Sequence, residues 1–344
     1  MARVLITGIS GQDGAFLARQ LLARGDEVWG TYRRGAERTF SRPTALGIHE
    51  QLRYALVDMA EAGNLIRTLD RIQPDAIYHL AAQSFVGDSF EQPTYTFDVN
   101  ATGTARLLDA VRTVTPRARV YQASTSEMFG DVRGEAVLDE DGAFRPRSPY
   151  AISKLAAHHL VGVHRDAYGL FGCRGILFNH ESELRGTEFV TRKITRAVGA
   201  VARDEPGVLA LGNLDARRDW GYAPEYVDAM IRMMTQDTPD DYVIATGRAA
   251  SVREFATLAF AAIGVTLAWS GRDADEVAHD AATGALRVRV DPTFWRPAEV
   301  GWLRGDASKA ARQLGWTATT ALESLVRRMV EHDVRTPTAS SLSP

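Results

Sequence analysis

Short apolar runs alternate with amphipathic stretches through the first half of the chain, and this alternation constrains the fold more than any other feature. The apolar runs are bounded by turn-forming residues and cover positions 3–7, 27–32, 53–57, 76–80, 118–122 and 174–178. The stretches at 14–24, 64–71 and 103–113 place apolar residues on one helical face. Strands that alternate with helices pair in parallel, because each helix returns the chain to the same end of the sheet. The sequence therefore predicts an α/β fold in which helices cover both faces of a parallel sheet.

Beyond about residue 180 the pattern becomes less regular, which indicates a second, smaller unit. Short strands and helices mix there, and polar loops carry many arginines. We expect a Rossmann-like, doubly wound parallel sheet over 1–180 and a smaller mixed α/β substrate-binding domain mainly over 181–335. Segments 212–222 and 241–255 are expected to return to the first domain. The last residues, 336–344, are rich in Ser, Thr and Pro and are predicted to be disordered.

Composition argues against several classes of function. The net charge of -3 and the pI near 6.3 argue against binding to nucleic acid, which usually requires a basic face. No apolar run is long enough to cross a bilayer, so no membrane interaction is expected. The single cysteine, Cys173, cannot form an internal disulfide, and we expect a cytoplasmic protein. The histidines lack the spacing of a zinc site, so no metal is predicted.

Three glycines follow the first predicted strand and open the first predicted helix. In Gly8-Ile-Ser-Gly11-Gln12-Asp13-Gly14 they allow a tight turn, a close approach to pyrophosphate and a close contact between helix and strand. This context predicts a loop that binds a dinucleotide, with contacts from Gly8, Gly11, Gln12, Asp13 and Gly14. A loop that merely contains three glycines is the alternative.

The residues after the next strands bear on which dinucleotide binds. An NAD enzyme usually has an acidic residue after the second strand for the ribose diol, whereas this chain has Arg33 and Arg34. Two arginines suit a 2′-phosphate, so NADP is predicted, unless both are solvated surface charges. Asp58, after the third strand, is expected to accept a hydrogen bond from the adenine amine. After the fourth strand the chain must leave room for the cofactor, and the small residues in Leu80, Ala81 and Ala82 fit that requirement.

Two sets of acid/base side chains are separated along the sequence. Tyr150 and Lys154 lie one helical turn apart on one face of a predicted helix. The ammonium favours the phenolate, so the tyrosine can act as a base near neutral pH. Thr125 and Glu127 supply further acid/base groups upstream. One proton-transfer centre serves a simple dehydrogenase, whereas two indicate an oxidation combined with a further proton step.

Taken together, these motifs resemble the extended short-chain dehydrogenase/reductase family and, within it, the GDP-mannose 4,6-dehydratases. The resemblance covers nearly the whole chain, and the motifs are highly specific as an ordered set. They include Gly8–Gly14, Leu80-Ala-Ala-Gln-Ser84, Tyr121-Gln-Ala-Ser-Thr-Ser-Glu127, Arg147-Ser-Pro-Tyr150, Leu177-Phe-Asn-His-Glu-Ser182, Phe189-Val-Thr-Arg-Lys193 and Arg218-Asp-Trp-Gly221. Ser126 matches the GDP-mannose branch, since the related dTDP-glucose dehydratases typically have aspartate there.

The resemblance implies an NADP-dependent lyase that converts GDP-mannose to GDP-4-keto-6-deoxymannose. It assigns proton removal from the 4-hydroxyl to Tyr150 with Lys154, and both proton steps of water elimination to Glu127. Thr125 would bind the C4 oxygen, and His180 would contact the cofactor. Substrate contacts are implied for Ser84, Glu127, Asn179, Lys193, Arg218, Arg296 and Glu299.

Three alternatives stay open on the sequence alone. The same dehydration of a related sugar, such as a GDP-manno-heptose, is suggested by Glu183 and by Gly87-Asp88, which are expected beside the sugar. A nucleotide-sugar 4-epimerase or 4-keto reductase is the second alternative, although epimerases of this superfamily lack an equivalent of Glu127. A non-catalytic scaffold that binds NADP is the third. The resemblance further implies a homodimer formed through the helix after Lys154, with a tetramer as the other option.

Overall fold

The computed structural model describes residues 1–35, 40–131, 136–295 and 298–336, and its strands fall into three sheets. The strands are β1 (Arg3–Thr7), β2 (Glu27–Tyr32), β3 (Arg53–Leu56), β4 (Ala76–His79), β5 (Arg119–Thr125), β6 (Gly172–Leu177), β7 (Asn179–Glu181), β8 (Leu209–Leu211), β9 (Arg217–Tyr222), β10 (Asp241–Ile244), β11 (Ala249–Ser251), β12 (Leu267–Ser270), β13 (Val277–Asp280) and β14 (Leu286–Val290). The largest sheet has seven strands in the order β10-β6-β5-β4-β1-β2-β3, and every pairing in it is parallel. The predicted doubly wound parallel sheet is confirmed.

Helices cover both faces of this sheet. They are α1 (Gln12–Ala23), α2 (Ser41–Ala45), α3 (Ala62–Ile72), α4 (Val86–Glu91), α5 (Pro93–Phe97), α6 (Gly103–Val114), α7 (Pro149–Tyr168), α8 (Val190–Ala202), α9 (Ala223–Met234), α10 (Val252–Ala261), α11 (Ser308–Leu314) and α12 (Leu322–Arg335). One apolar core joins the sheet to α1, α9 and α11, and another joins it to α3, α6 and α7. Because apolar side chains on both faces of the central strands are buried, their sequences are apolar runs rather than alternating patterns.

The smaller unit has its own core. A three-stranded sheet (β11-β9-β7) and a four-stranded sheet (β12-β13-β14-β8) pack with α8, α10 and α12 around apolar residues of those elements. A buried ion pair joins two of these helices: Arg192 donates three hydrogen bonds to the Asp333 carboxylate, at 3.2, 2.9 and 2.6 Å. Thr195 donates to the same carboxylate at 2.7 Å. The mixed α/β unit expected after residue 180 is therefore present.

The sheet membership of two segments differs in part from the expectation. Residues 241–244 return to the large sheet as β10, as expected, but 249–251 form β11 of the three-stranded sheet. Strand β9, within 212–222, pairs with β7 and β11 and not with the large sheet, and the assignment of 212–222 to the first domain remains our proposal. The division near residue 180 remains our proposal for the domain boundary. The tail at 337–344 lies outside the described residues.

Helix α7 is delimited by residues that the sequence places at its ends. Ser148 caps its first turn by accepting a hydrogen bond from the backbone N–H of Ala151 at 3.1 Å, and Pro149 follows at the first helical position. The helix ends at Gly169, which has the left-handed φ of 65°. Because this cap fixes the start of the helix, Tyr150 lies in the first turn of α7.

The edge strand β10 is partly covered by a side chain from another part of the chain. Glu140 accepts a hydrogen bond from the backbone N–H of Val243 at 2.7 Å. Burial raises the pKa of Glu140, although this hydrogen bond opposes the rise. The segment that carries Glu140 leads into Arg147-Ser-Pro-Tyr150 and so connects the sheet edge with the start of α7.

Among the described residues, no helix combines the length and the apolar character that a bilayer crossing requires. The same residues contain no cluster of three or more His, Cys, Asp or Glu side chains placed to hold a metal ion.

Candidate active site

A cavity of about 600 Å³ lies at the carboxyl ends of the central parallel strands and continues along β7 and β9. The residues predicted from the sequence that line it are Gly8, Gly11, Gln12, Asp13, Gly14, Leu80, Ala82, Ser84, Thr125, Glu127, Tyr150, Lys154, Asn179, His180, Lys193, Arg218 and Glu299. Ala81, Arg33, Arg34 and Asp58 are described but do not line it, and Arg296 lies outside the described residues. Ligands of open α/β sheets bind at this edge, so the cavity is the candidate active site.

The glycine loop passes too close to other backbone for a side chain. Gly8 has a φ of +79°, and a Cβ there would lie 2.9 Å from the backbone nitrogen of Ala81. A Cβ on Gly14 would lie 2.5 Å from the carbonyl oxygen of Gly8. Helix α1 begins immediately after Gly11 without a side-chain cap, so no capping side chain occupies its first N–H groups. This geometry fits the pyrophosphate of a dinucleotide, as the motif predicts.

A chain of buried hydrogen bonds ties the glycine loop to β4 and α6. Thr7 Oγ1 accepts from the backbone N–H groups of residues 80 and 81 at 3.1 and 3.0 Å, so it donates to His79 Nδ1 at 2.8 Å. His79 therefore carries its proton on Nε2, which donates to Thr104 Oγ1 at 3.1 Å. Burial, with the nearby charge of Lys154, lowers the pKa of His79 to about 3, so the ring is neutral at physiological pH.

An ion pair between the buried His180 and the half-buried Asp13 fixes the other side of the glycine loop. His180 Nδ1 lies 2.7 Å from the carbonyl oxygen of Phe178, and Nε2 lies 2.9 Å from Asp13 Oδ2. Both ring nitrogens donate, so the ring is an imidazolium facing a carboxylate. Burial opposes both charges, but the pair outweighs it: the pKa of Asp13 falls to about 2, and the pKa of His180 rises. Tyr226 stacks on the imidazole with ring centroids 4.5 Å apart.

Thr125 and Glu127 are presented by one continuous backbone element. Thr125 ends β5, and Glu127 lies in the short 3-10 turn Ser126–Phe129 that follows. The backbone N–H of Glu127 donates to Thr125 Oγ1 at 3.3 Å, which fixes the turn. Each residue is 8% exposed and lines the cavity. A hydroxyl and a carboxylate thus face the same space from adjacent positions.

Tyr150 and Lys154 face the cavity from the first two turns of α7, where both are buried. Burial raises the pKa of Tyr150 to about 12, although a hydrogen bond with Thr125 favours the phenolate. Lys154 Nζ donates to the carbonyl oxygen of Ala123 at 2.9 Å, and burial lowers its pKa to about 8. The lower pKa of Tyr150 that Lys154 was expected to cause is not found, because burial dominates and the ammonium is directed at a carbonyl.

At the far end of the cavity, cationic and amide side chains converge. Arg218 is buried, with Glu299 Oε1 3.1 Å from NH2 and Glu127 Oε1 4.0 Å from Nε. Lys193 Nζ lies 3.3 Å from the centre of the Phe294 ring, and burial lowers its pKa. Asn179 Oδ1 is buried with no described hydrogen-bond partner. These groups fit a diphosphate and a polar sugar, which would supply the missing partners.

Two arginines of the cavity wall were not predicted from the sequence. Arg42 donates to the carbonyl oxygens of Ser10 at 2.7 Å and Leu184 at 2.6 Å, which joins the glycine loop to the segment after β7. Arg185 pairs with Glu181 at 3.1 Å. The partners of Arg42 are backbone atoms far away in the sequence, so no motif could have indicated it. Arg185 follows the Leu177–Ser182 motif, and that position was its only signal.

The residues expected around the adenosine lie beside the cavity rather than in it. Arg33 is exposed, and its NH1 donates to Tyr95 Oη at 2.5 Å. Asp58 Oδ1 accepts from the backbone N–H of Ala60 at 2.9 Å. Both follow strands of the sheet on the side where the glycine loop lies. Their roles toward a cofactor remain predictions.

Comparison with known proteins places the whole chain in one family. A family model described as GDP-mannose 4,6 dehydratase matches residues 5–329. The GDP-mannose 4,6 dehydratase 2 of Caenorhabditis elegans is 47% identical over 339 residues, covering 96% of this chain and 88% of that protein. The GDP-mannose 4,6-dehydratase of Sinorhizobium fredii (strain HH103) is 48% identical over 341 residues and covers 96% of both chains.

Solved structures support the fold. DesIV, a dTDP-glucose 4,6-dehydratase from Streptomyces venezuelae determined with NAD and TYD bound, superposes with a TM-score of 0.80. It covers 96% of each chain at 23% identity, so this likeness concerns the fold alone.

Proposed function

This chain belongs to the GDP-mannose 4,6-dehydratase family, and we propose that it is an NADP-dependent hydro-lyase that converts GDP-mannose to GDP-4-keto-6-deoxymannose. The observation that carries the proposal is the meeting of two acid/base centres in one cavity. Tyr150 and Glu127 are both buried there, with Thr125 beside them and Arg218 next to the carboxylate. A reaction with an oxidation and an elimination needs two such centres.

Oxidation at C4 requires a base for the hydroxyl proton. Tyr150 Oη accepts that proton, and Thr125 Oγ1 donates a hydrogen bond to the C4 oxygen as the ketone forms. The glycine loop and the start of α1 would hold a nicotinamide dinucleotide, which would supply the hydride acceptor for C4, the hydride donor for C6 and a positive charge that favours the phenolate. The buried Lys154 ammonium, in the second turn of α7, donates to the carbonyl oxygen of Ala123 and adds positive charge to the same cavity.

Water elimination requires a second base on the other carbon. The 4-ketone acidifies the C5 proton, which Glu127 removes and delivers to the departing 6-hydroxyl. The C5–H and C6–O bonds break, a C5–C6 double bond forms, and one water leaves. C6 then gains hydride and C5 gains a proton, which replace the hydride and the proton lost from C4 and its hydroxyl. The sum is the loss of one water without net oxidation.

NADP is proposed over NAD because two arginines, rather than an acidic residue, follow β2. Arg33 and Arg34 are exposed at the end of that strand, where a 2′-phosphate can reach them. The glycine loop and the start of α1 would hold the pyrophosphate.

We also propose a homodimer that uses α7. Three large side chains of this helix are exposed, namely Ile152, Val163 and Tyr168, at 48%, 55% and 57% of their surface. Ile152 and Val163 lie on one face of the helix, and exposed apolar side chains on a shared face are covered when two copies pack helix against helix. A tetramer is the alternative assembly.

The heptose alternative is not favoured by the described side chains. Glu183 and Gly87-Asp88 were expected beside the sugar, but none of them lines the cavity. GDP-mannose therefore stays the proposed substrate, with other GDP-sugars as competitors in the test.

The test mixes purified protein with GDP-mannose and catalytic NADP and follows the nucleotide sugar by mass spectrometry. We expect the loss of one water without net build-up of NADPH. The Tyr150→Phe variant, which keeps the ring but lacks the hydroxyl, should leave GDP-mannose unchanged. If folded wild-type protein left GDP-mannose intact but dehydrated another GDP-sugar, the proposed substrate would be wrong. Stoichiometric consumption of NADPH without water loss would instead indicate a reductase.

A further inference from the structure

Arg218 stands between two carboxylates that have different proposed tasks. Its NH2 donates to Glu299 Oε1 at 3.1 Å, and its Nε lies 4.0 Å from Glu127 Oε1. Its NH1 donates to the carbonyl oxygen of Arg217 at 2.9 Å. The Arg218 side chain is 8% exposed, and those of Glu127 and Glu299 are 11% and 26% exposed. One guanidinium therefore faces both a proposed base and a proposed nucleotide contact in a largely buried part of the cavity.

The backbone beneath Arg218 is held firmly by the next residue. The buried Asp219 carboxylate accepts from the backbone N–H groups of Thr246, Gly247 and Gly305, at 2.8, 2.9 and 3.3 Å, and from the Thr246 hydroxyl at 2.6 Å. These bonds join β9 to the turn after β10 and to the segment that precedes α11. With the backbone fixed, the guanidinium is the part of Arg218 that can change partners.

We infer that Arg218 is a positioning residue for Glu127, and that Glu299 holds the guanidinium until the diphosphate of the nucleotide sugar replaces it. This inference rests on the proposed function, because it takes Glu127 as the base and a GDP-sugar as the substrate. It adds a link between them: the group that binds the diphosphate also orients the carboxylate that removes the C5 proton.

The charges give the reason for an exchange of partners. Two carboxylates already face one guanidinium, so a diphosphate that entered without any rearrangement would bring further negative charge into a low-dielectric space. If Glu299 turns to accept hydrogen bonds from the ribose hydroxyls, NH2 of Arg218 becomes available to the diphosphate. The Nε side of the guanidinium stays toward Glu127. Binding energy from a remote part of the substrate is thereby used to set the geometry of the base.

The exchange is tested with inorganic pyrophosphate on NADP-loaded enzyme, in which the cofactor's own pyrophosphate fills the glycine-loop site. Pyrophosphate has no ribose, so the Glu299→Gln variant removes the competing negative charge in this test without removing a ribose contact. We expect it to bind pyrophosphate roughly fivefold more tightly than wild type by calorimetry. Glu323→Gln, which changes the exposed Arg248–Glu323 pair outside the cavity, is the matched control and should bind like wild type. Equal or weaker binding by Glu299→Gln would overturn the holding role of Glu299.

The positioning role is tested with Arg218→Lys, which keeps one positive charge but loses the planar group that spans both carboxylates. We expect kcat to fall roughly 10- to 100-fold. A primary isotope effect from C5-deuterated GDP-mannose should become larger than in wild type, because C5 deprotonation becomes slower. A higher KM with unchanged kcat and an unchanged isotope effect would show that Arg218 is only a diphosphate ligand. Thermal unfolding and circular dichroism establish whether the variant is folded.

The two hypotheses fail in different ways. Wild-type enzyme that dehydrates no GDP-sugar would overturn the proposed function and, with it, the positioning role. The pyrophosphate comparison does not depend on turnover and still decides the role of Glu299.

Discussion

The two ends of the cavity are organised in opposite ways. At the cofactor end, the polar side chains around the glycine loop bond to one another: Thr7 to His79, and Asp13 to His180. At the substrate end, Arg218 is shared between two carboxylates, and Asn179 Oδ1 is buried with no described partner. The first end is complete without its ligand, whereas the second is arranged so that a ligand completes it. A change at the cofactor end should therefore cost stability, and a change at the substrate end should cost affinity.

The largest expected effect is on kcat, for a substitution at Glu127, where the two ends of the cavity meet. Neither stability nor ligand affinity should change. Glu127→Gln keeps the shape of the side chain but removes the proposed base, so we expect kcat to fall roughly 1,000-fold. GDP affinity, measured by calorimetry, should stay at the wild-type value. Because oxidation at C4 does not use Glu127, a 4-keto sugar two hydrogens lighter than GDP-mannose should appear by mass spectrometry. The matched control Glu183→Gln, outside the cavity lining, should keep full activity. Water loss by Glu127→Gln at the normal rate would show that another group is the base.

At the cofactor end, Asp13→Asn should lower the stability of the protein, because it leaves His180 without its counter-charge. Removing one member of this partly buried, hydrogen-bonded pair costs about 2 kcal/mol of unfolding free energy, measured by denaturant unfolding of the cofactor-free protein near pH 5. Asp70→Asn, on the exposed face of α3, is the control and should unfold like wild type.

The same pair predicts a pH window. The pKa of Asp13 is lowered from 3.8 to about 2, so its contribution is complete above pH 3.8 and is lost as the pH falls toward 2. The pKa of His180 is raised above 6.5, so its contribution is complete below pH 6.5 and is lost as the pH rises through the folded-state value. The difference in stability between wild type and Asp13→Asn should therefore be largest between pH 3.8 and 6.5. A difference that does not vary with pH would show that the pair is not ionic.

Lys193→Met tests the substrate end, where we expect a loss of affinity rather than a loss of stability. The methionine keeps the length of the chain over Phe294 but removes a cation that burial already disfavours. We expect KM for GDP-mannose to rise about 10- to 100-fold while the unfolding temperature is not lowered. A fall in unfolding temperature with an unchanged KM would mean that this end, too, is held by protein contacts.

The smallest effect is expected for Arg33→Ala, at the exposed edge of the cofactor end. Because the guanidinium is in solvent, its loss should weaken NADP binding only about fivefold and leave NAD binding unchanged. Calorimetry with both dinucleotides measures this, with Arg117→Ala before β5, at the opposite end of the sheet, as the control. Equal weakening for both dinucleotides would mean that Arg33 does not contact the 2′-phosphate.

The elements of the large sheet could be predicted because their signals are local. Apolar runs bounded by turn residues gave β1 and β2 at their observed bounds and the other predicted strands of the sheet to within a few residues. Strand β9 could not be assigned to its sheet in this way. Its place depends on pairing with β7 and β11, and the sequence of a strand does not state its partners.

The site shows the same limit. The sequence could predict that Glu127 and Tyr150 line one cavity, because turns and helix starts that follow strands of a parallel sheet lie at the same edge of the sheet. The pairing of His180 with Asp13, 167 residues away, could not be predicted from spacing, nor could the two backbone contacts of Arg42. The direction of the Tyr150 pKa was missed because burial is a property of the folded chain.

The hydrogen bond from Val243 to Glu140 has a consequence for the protein in crowded solution. An outer strand with open N–H groups is a template on which a strand of another molecule can add, and such addition begins aggregation. Here one of those donors on β10 is already occupied, and the occupant is a carboxyl side chain at the rim of the sheet. The chain segment that leads to Tyr150, the proposed base at C4, thus also discourages edge-to-edge growth of the largest sheet.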